Sequence, residues 1–214
     1  MYTFITCQSL FPGIKSFIPV NLDVLTAVAK NLTPSSCANL HKDPQATQHL
    51  IRSFERNTGT SYGGWAETRQ NLWAGSYMDA TGNYTHLGVD INVVKDTPVV
   101  LPFTVEVVDA ITDTDTDVGW GTRLILKTAN PTNPYIVLGH LTSSSLKPVG
   151  TVIPSGETVG IVSTYPDNGN VFEHLHIQLV KPEYLETKTW AELDGYGSPA
   201  EIDLYPDPLN TPFL

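Results

Sequence analysis

The spacing of apolar positions follows two different periods along the chain. In the first 70 residues, two segments carry apolar residues at helical spacing, at 20–32 and 43–57. Asn21 suits the N-cap of the first segment, and Asp43 with Pro44 suits the start of the second. The pattern therefore predicts two helices, in an N-terminal helical extension (residues 1–70) that packs on the main domain.

From about Tyr77 onward, the pattern changes to one that is typical of β-structure. Short runs of Val, Ile, Thr and Leu alternate with Gly, Pro, Asn and Asp. Eight strands are predicted, at 86–93, 97–103, 104–110, 122–128, 135–141, 151–156, 158–164 and 173–180. The fold class is mainly β, an antiparallel sheet or sandwich. We expect this domain to span residues 71–214, with an irregular C-terminal tail after residue 180 that wraps the surface.

Charge and hydropathy exclude some classes of function. The 214 residues include 22 Asp and Glu but only 12 Lys and Arg, for a net charge of −10, which disfavours nucleic-acid binding. No uninterrupted apolar run reaches the ~20 residues that a membrane-spanning helix needs, and the N-terminus lacks the pattern of a signal peptide. We therefore expect a soluble protein without membrane insertion, whose compartment and oligomeric state stay open. Cys7 and Cys37 are either ordinary thiols or one disulfide bridge.

The first candidate for chemistry is His86 with Asp90, in the run His86-Leu-Gly88-Val-Asp90. Period-two alternation places the histidine and the aspartate on the same face of a strand. In an ideal strand, residues four apart are separated by roughly 13 Å, at ~3.3 Å per residue, which is too far for one shared metal ion. A shared metal site therefore predicts a bend in the backbone, which Gly88 would permit.

Three further histidines lie in the β-rich region. His174 and His176 share one face of a strand and are ~6.7 Å apart, so both can reach one site. His140 follows Gly139 at the end of an apolar strand. His41 and His49 lie in the N-terminal segment without such a context, and we interpret them as surface or packing residues.

This set of residues suits a catalytic zinc ion. Zinc is bound by neutral imidazoles and carboxylates, and a catalytic site has three protein ligands and an open position for a water nucleophile. His86, Asp90 and one of the two histidines at 174 and 176 would supply the three ligands. The other histidine and His140 would orient the water, move protons or stabilise an oxyanion.

The order and spacing of these motifs resemble those of the lysostaphin-type (LytM-like, β-lytic) zinc metallopeptidases, over residues 77–180. The matching motifs are His86-Leu-Gly88-Val-Asp90, Gly139-His140-Leu141 and His174-Leu175-His176. The resemblance implies a groove with one Zn²⁺ per chain, bound by His86, Asp90 and His176. It implies that His140 and His174 are catalytic, and that a tyrosine, Tyr77 or Tyr84, helps to stabilise the tetrahedral intermediate.

The resemblance further implies an endopeptidase that hydrolyses peptide bonds in peptidoglycan stems or cross-bridges, or in other glycine-containing peptides. Its partner would be a peptide or peptidoglycan substrate. Leu138, Asp96 and Glu173 depart from residues that are frequent in the family, which bears on substrate preference. Two alternatives stay open: a non-catalytic zinc-containing regulator or binding module, and a zinc hydrolase of a substrate outside the cell wall.

Overall fold

The computed structural model describes residues 2–32, 40–56, 58–113 and 119–214. The strands in these ranges are β1 (Thr3–Phe4), β2 (Phe17–Pro19), β3 (Thr60–Gly63), β4 (Thr85–His86), β5 (Val89–Ile91), β6 (Pro98–Val100), β7 (Val105–Thr112), β8 (Thr122–Lys127), β9 (Tyr135–Leu141), β10 (Val152–Ile153), β11 (Thr158–Ile161), β12 (Leu175–Val180), β13 (Tyr196–Gly197) and β14 (Pro212–Phe213). The α-helices are α1 (Cys7–Leu10), α2 (Leu22–Leu32), α3 (Pro44–Glu55) and α4 (Gln70–Trp73). Short 3-10 helices lie at Leu40–Lys42, Tyr77–Ala80, Ser143–Ser145, Pro182–Glu186, Trp190–Glu192 and Pro199–Leu204.

A central sheet organises the molecule. It has eight strands in the order β10-β7-β8-β9-β12-β5-β3-β2. The mainly β character is confirmed, and strands form within all of the eight predicted segments. An entirely antiparallel sheet is not confirmed, because β2 pairs with β3 in parallel at one edge and the sheet is mixed. The remaining strands form three two-stranded sheets, β1 with β14, β11 with β6, and β13 with β4. The sandwich stays a prediction.

The central strands are apolar on both sides because both faces of the sheet are covered. Along β8, Leu124 and Leu126 pack into the larger core cluster, whereas Ile125 between them packs into a cluster on the opposite face. Tyr184 and Tyr205, from the segment after residue 180, belong to that opposite cluster and are buried. The C-terminal segment is therefore a covering layer of the sheet and contributes to its core.

The two predicted N-terminal helices form, as α2 and α3. Together with α4 they surround a cluster that includes Leu22, Ile51 and Trp73. In the same region, however, β2 and β3 belong to the central sheet. For this reason the description of residues 1–70 as a helical extension is not confirmed, and a domain boundary at residue 70 stays a prediction.

The backbone bends at Gly88, as the spacing of His86 and Asp90 predicts for a shared site. β4 ends at His86 and pairs with β13, whereas β5 begins at Val89 and pairs with β12 and β3. The break therefore turns one predicted strand into two with different partners.

Two remaining expectations concern cysteines and membranes. Cys7 is buried, which raises the pKa of its thiol to about 12. Cys37 lies outside the described residues, and the disulfide alternative with it. Among the described helices, none combines the length and the apolar character that a membrane crossing requires.

Candidate metal centre

Three neighbouring strands place the predicted ligands side by side. His86 ends β4, Asp90 lies in the middle of β5, and His176 lies opposite Asp90 in the pairing of β12 with β5. All three side chains are buried. The bend at Gly88 turns the His86 ring back toward Asp90, so the two residues meet although four positions separate them.

The donor atoms of these residues form a nearly equilateral triangle. His86 Nε2 lies 3.3 Å from Asp90 Oδ1, His176 Nδ1 lies 3.1 Å from the same oxygen, and the two nitrogens lie 3.1 Å apart. Zinc binds such donors tetrahedrally at ~2.0–2.1 Å, which places any two of them roughly 3.3 Å apart. The three edges of the triangle therefore match the spacing of zinc ligands.

Hydrogen bonds on the outer side of each ring determine which nitrogen carries the proton. His86 Nδ1–H donates to the carbonyl oxygen of Gly64 at 3.1 Å, and His176 Nε2–H donates to Gln178 Oε1 at 3.0 Å. In the neutral tautomers that these hydrogen bonds favour, the inner nitrogens carry lone pairs and face each other, an arrangement that suits a cation between them. Burial, assisted by the charge of Arg69, lowers the pKa of His86 to about 3, so its ring is neutral.

Asp90 supplies the negative charge of the triangle. Burial alone would raise the pKa of its carboxyl group, but the imidazoles of His86 and His174 and the guanidinium of Arg69 together lower it well below the usual value. The side chain is therefore ionised. Two imidazoles and one carboxylate are a donor set that fits zinc.

His140 and His174 lie next to this triangle. The Nδ1–H of His140 donates to the carbonyl oxygen of Asn168, and the Nδ1–H of His174 donates to that of Phe172, each at 2.8 Å. Their ring centroids are 4.4 Å apart, and His174 Nε2 lies 3.3 Å from Asp90 Oδ1. Both rings therefore direct Nε2 toward the centre. Burial lowers the pKa of His140 well below the usual value.

The backbone of His140 is in the left-handed region, with φ at +62°. A residue other than glycine in that region costs on the order of 1–3 kcal/mol and persists only where its surroundings hold it. Here the His140 N–H donates to the carbonyl oxygen of Trp120 at 2.8 Å, and the ring is held by Asn168. The strained conformation places the imidazole over the centre.

A cleft of about 540 Å³ opens above the donor triangle and the two neighbouring histidines, His140 and His174. Tyr77 lines it and is 58% exposed. Tyr84 is half-buried among the residues packed around Trp73, and its hydroxyl donates to Asp79. Of the two candidate tyrosines, Tyr77 is thus the one that lines the cleft, and its role stays a prediction.

His41 packs near Trp73, with ring centroids 6.2 Å apart, and His49 is exposed on α3.

Four residues that the sequence interpretation did not assign to the site are part of it: Arg69, Trp120, Gln178 and Tyr196. Gln178 follows His174 and His176 at period two on the same strand face, a signal that could have identified it. Trp120 crosses Gly139 so closely that a Cβ there would lie 2.8 Å from the indole ring. Arg69 and Tyr196 have no comparable signal, because only tertiary packing brings them to the centre.

Gly88 offers a test of the geometry. A Cβ at this position would lie 2.6 Å from His176 Nε2 and 2.6 Å from the carbonyl oxygen of Ile177. Gly88→Ala should therefore displace the His176 ring, weaken zinc binding and lower the free energy of unfolding by about 1–3 kcal/mol. Zinc titration and thermal unfolding measure both effects. Gly13→Ala is the matched control, because none of the described atoms would lie within 4 Å of its Cβ. Equal behaviour of the two variants would contradict the close packing at Gly88.

Comparison with known proteins identifies similar structures. Neither a protein-family model nor a curated protein sequence matches the chain. A mutant catalytic domain of the prophage-encoded M23 protein EnpA from Enterococcus faecalis is 22% identical with a TM-score of 0.38, over 46% of this chain and 69% of that one. The catalytic domain of the antimicrobial peptidase lysostaphin from Staphylococcus simulans is 21% identical with a TM-score of 0.37, over 46% and 68%. A zinc-containing peptidase from Vibrio cholerae is 18% identical with a TM-score of 0.37, over 45% of this chain and 27% of that one. Two of these three structures, those from Staphylococcus simulans and Vibrio cholerae, are described as peptidases.

Proposed function

We propose that the protein is a zinc-dependent endopeptidase of the lysostaphin type, with one zinc ion per chain held by His86, Asp90 and His176. The observation that carries the proposal is the triangle of donor atoms with edges of 3.1–3.3 Å. The outer nitrogens of both imidazoles are occupied by hydrogen bonds, so the inner ones are available to a metal ion.

When bound, zinc would supply Lewis acidity that activates water and polarises the scissile carbonyl group. The residues of the chain would do the rest. His140 and His174 each keep the proton on Nδ1 and direct Nε2 to the centre, where it can accept a proton from the attacking water and pass one to the leaving amine. The Phe172 ring stacks on His174 at a centroid distance of 4.3 Å and restricts its orientation. Tyr77, on the wall of the cleft, is the proposed donor to the developing oxyanion.

The proposed substrate is a peptide, either a peptidoglycan stem or cross-bridge or another glycine-containing peptide. The motif resemblance supports this substrate class. The cleft supports it as well, because a volume of about 540 Å³ accommodates several residues of an extended chain.

The direct test is a cleavage assay that covers several peptide classes. Zinc-loaded protein is incubated with a mixture of cross-linked muropeptides and glycine-rich peptides, and mass spectrometry identifies the products. We expect cleavage that is lost after chelation and restored by zinc, and the product masses identify the scissile bond. Zinc-loaded protein that cleaves none of these peptides would contradict the proposed substrate class and would favour the binding module or another zinc hydrolase.

A further inference from the structure

The two carboxylate oxygens of Asp90 have different partners. Oδ1 faces the imidazole nitrogens of His86, His174 and His176 at 3.1–3.3 Å. Oδ2 instead accepts a hydrogen bond from Nη1 of Arg69 at 2.5 Å. Arg69 is only 2% exposed, so the contact is shielded from water. A charge-assisted hydrogen bond of this kind fixes the orientation of a carboxylate as well as its charge.

Arg69 is itself held by several groups. Its Nε lies 3.3 Å from Glu67 Oε1, and its Nη1 also donates to the Tyr196 hydroxyl at 3.1 Å. Glu67 Oε1 in turn accepts the backbone N–H of Asp23, at the start of α2, at 2.9 Å. The guanidinium also lies close against the backbone, since a Cβ at Gly64 would be 2.2 Å from Nη2. Contacts other than the one with Asp90 therefore already fix the position of the guanidinium: those with Glu67, with Tyr196 and with the backbone at Gly64.

We propose that Arg69 is a positioning residue of the metal centre, which occupies Asp90 Oδ2 so that only Oδ1 is offered to the metal ion. The inference rests on the proposed function, because it assumes that the triangle binds zinc. Partners of this type, behind the ligands of a metal ion, typically change metal affinity by about 10–100-fold when they are altered.

A purely stabilising role explains the placement less well. Replacing a buried ion pair by apolar residues is often neutral or favourable for stability, since burial of the charges is costly. Arg69 nevertheless places its charge directly behind a candidate ligand and links it, through Glu67, to the N-terminus of α2. The segment upstream of the histidine motifs would therefore take part in metal binding.

Arg69→Lys tests the inference, because lysine keeps the positive charge but has no planar fork with which to bridge Glu67, Tyr196 and Asp90. We expect its zinc affinity, measured by competition with a chromogenic chelator, to fall by about 10–100-fold. Arg123→Lys is the matched control. Arg123 is the second arginine that is 2% exposed in the cleft, and it pairs with Asp109 at 2.9 Å, outside the triangle. Its zinc affinity should equal that of the wild type.

Each outcome decides the inference. The inference would be overturned if circular dichroism shows that the Arg69→Lys protein is folded and its zinc affinity equals that of the wild type. The proposed function would still stand in that case, provided that the wild-type protein binds zinc. If Arg69→Lys does not fold, Tyr196→Phe decides, since it removes one partner of Nη1 and keeps the ring that packs on His86. A several-fold loss of zinc affinity would support the inference, and no change would overturn it. A wild-type protein that binds no zinc would overturn the proposed function and the inference together.

Discussion

Replacing Asp90 with alanine should abolish stoichiometric zinc binding. The substitution removes the anionic corner of the donor triangle and leaves two neutral imidazoles, which hold zinc far more weakly. It should also destabilise the metal-free protein, because Glu67, at 3.3 Å, is then the one carboxylate left beside the Arg69 guanidinium, which otherwise contacts only the neutral Tyr196 hydroxyl at 3.1 Å. Breaking a buried ion pair costs about 3–5 kcal/mol, and we expect a value near the lower end. Zinc content by mass spectrometry and denaturant unfolding of the chelated protein measure the two effects.

Asp109→Ala is the control for this variant. Asp109 also pairs with a buried arginine, Arg123, at 2.9 Å, and it lines the same cleft without belonging to the triangle. It is partly exposed, so its removal should cost less stability and leave zinc binding unchanged. Wild-type zinc content in the Asp90 variant would refute its assignment as a ligand.

Replacing His140 with alanine should have a different effect from replacing Asp90: we expect the variant to retain zinc and to lose turnover. The His140 ring lies beside His174, outside the donor triangle, so its removal leaves the three proposed ligands in place. Loss of a general acid–base group typically lowers kcat by about 10²–10⁴-fold. Parallel measurements of zinc content and kcat on the cleaved peptide separate the two roles.

Three other histidines complete this experiment. His49→Ala, on the exposed side of α3, should match the wild type in both measurements. His176→Ala should lose zinc, whereas His174→Ala should keep it and lose turnover. The reverse result would exchange the roles of His174 and His176, and unchanged turnover in the His140 variant would remove His140 from the mechanism.

Local pattern was sufficient to predict the bend at Gly88. His86 and Asp90 are too far apart on a regular strand to share a metal ion, so the shared site itself required an irregular backbone. Period two also placed His174 and His176 on one face; His174 lies directly before β12 and His176 within it, and both approach Asp90 Oδ1. These features depend on residues close in the chain, and for that reason the sequence contained the information.

Contacts between distant segments could not be predicted in this way. Arg69 reaches Tyr196 across 127 positions, and neither residue interrupts or extends any local period. Two further features also depend on contacts between distant segments. They are the parallel pairing of β2 with β3 and the covering of the sheet by the C-terminal segment. Tertiary packing decides these arrangements, since strand partners are selected by side-chain burial and not by local propensity.

The most direct measurement of the central claim is a crystal structure of zinc-loaded protein with anomalous diffraction recorded at the zinc absorption edge. We expect one anomalous peak per chain, bounded by His86 Nε2, Asp90 Oδ1 and His176 Nδ1. The same data examine the second group of donors in the cleft, formed by His140, His174 and His176. A peak within that group, or no peak in protein that was supplied with zinc, would contradict zinc binding by His86, Asp90 and His176.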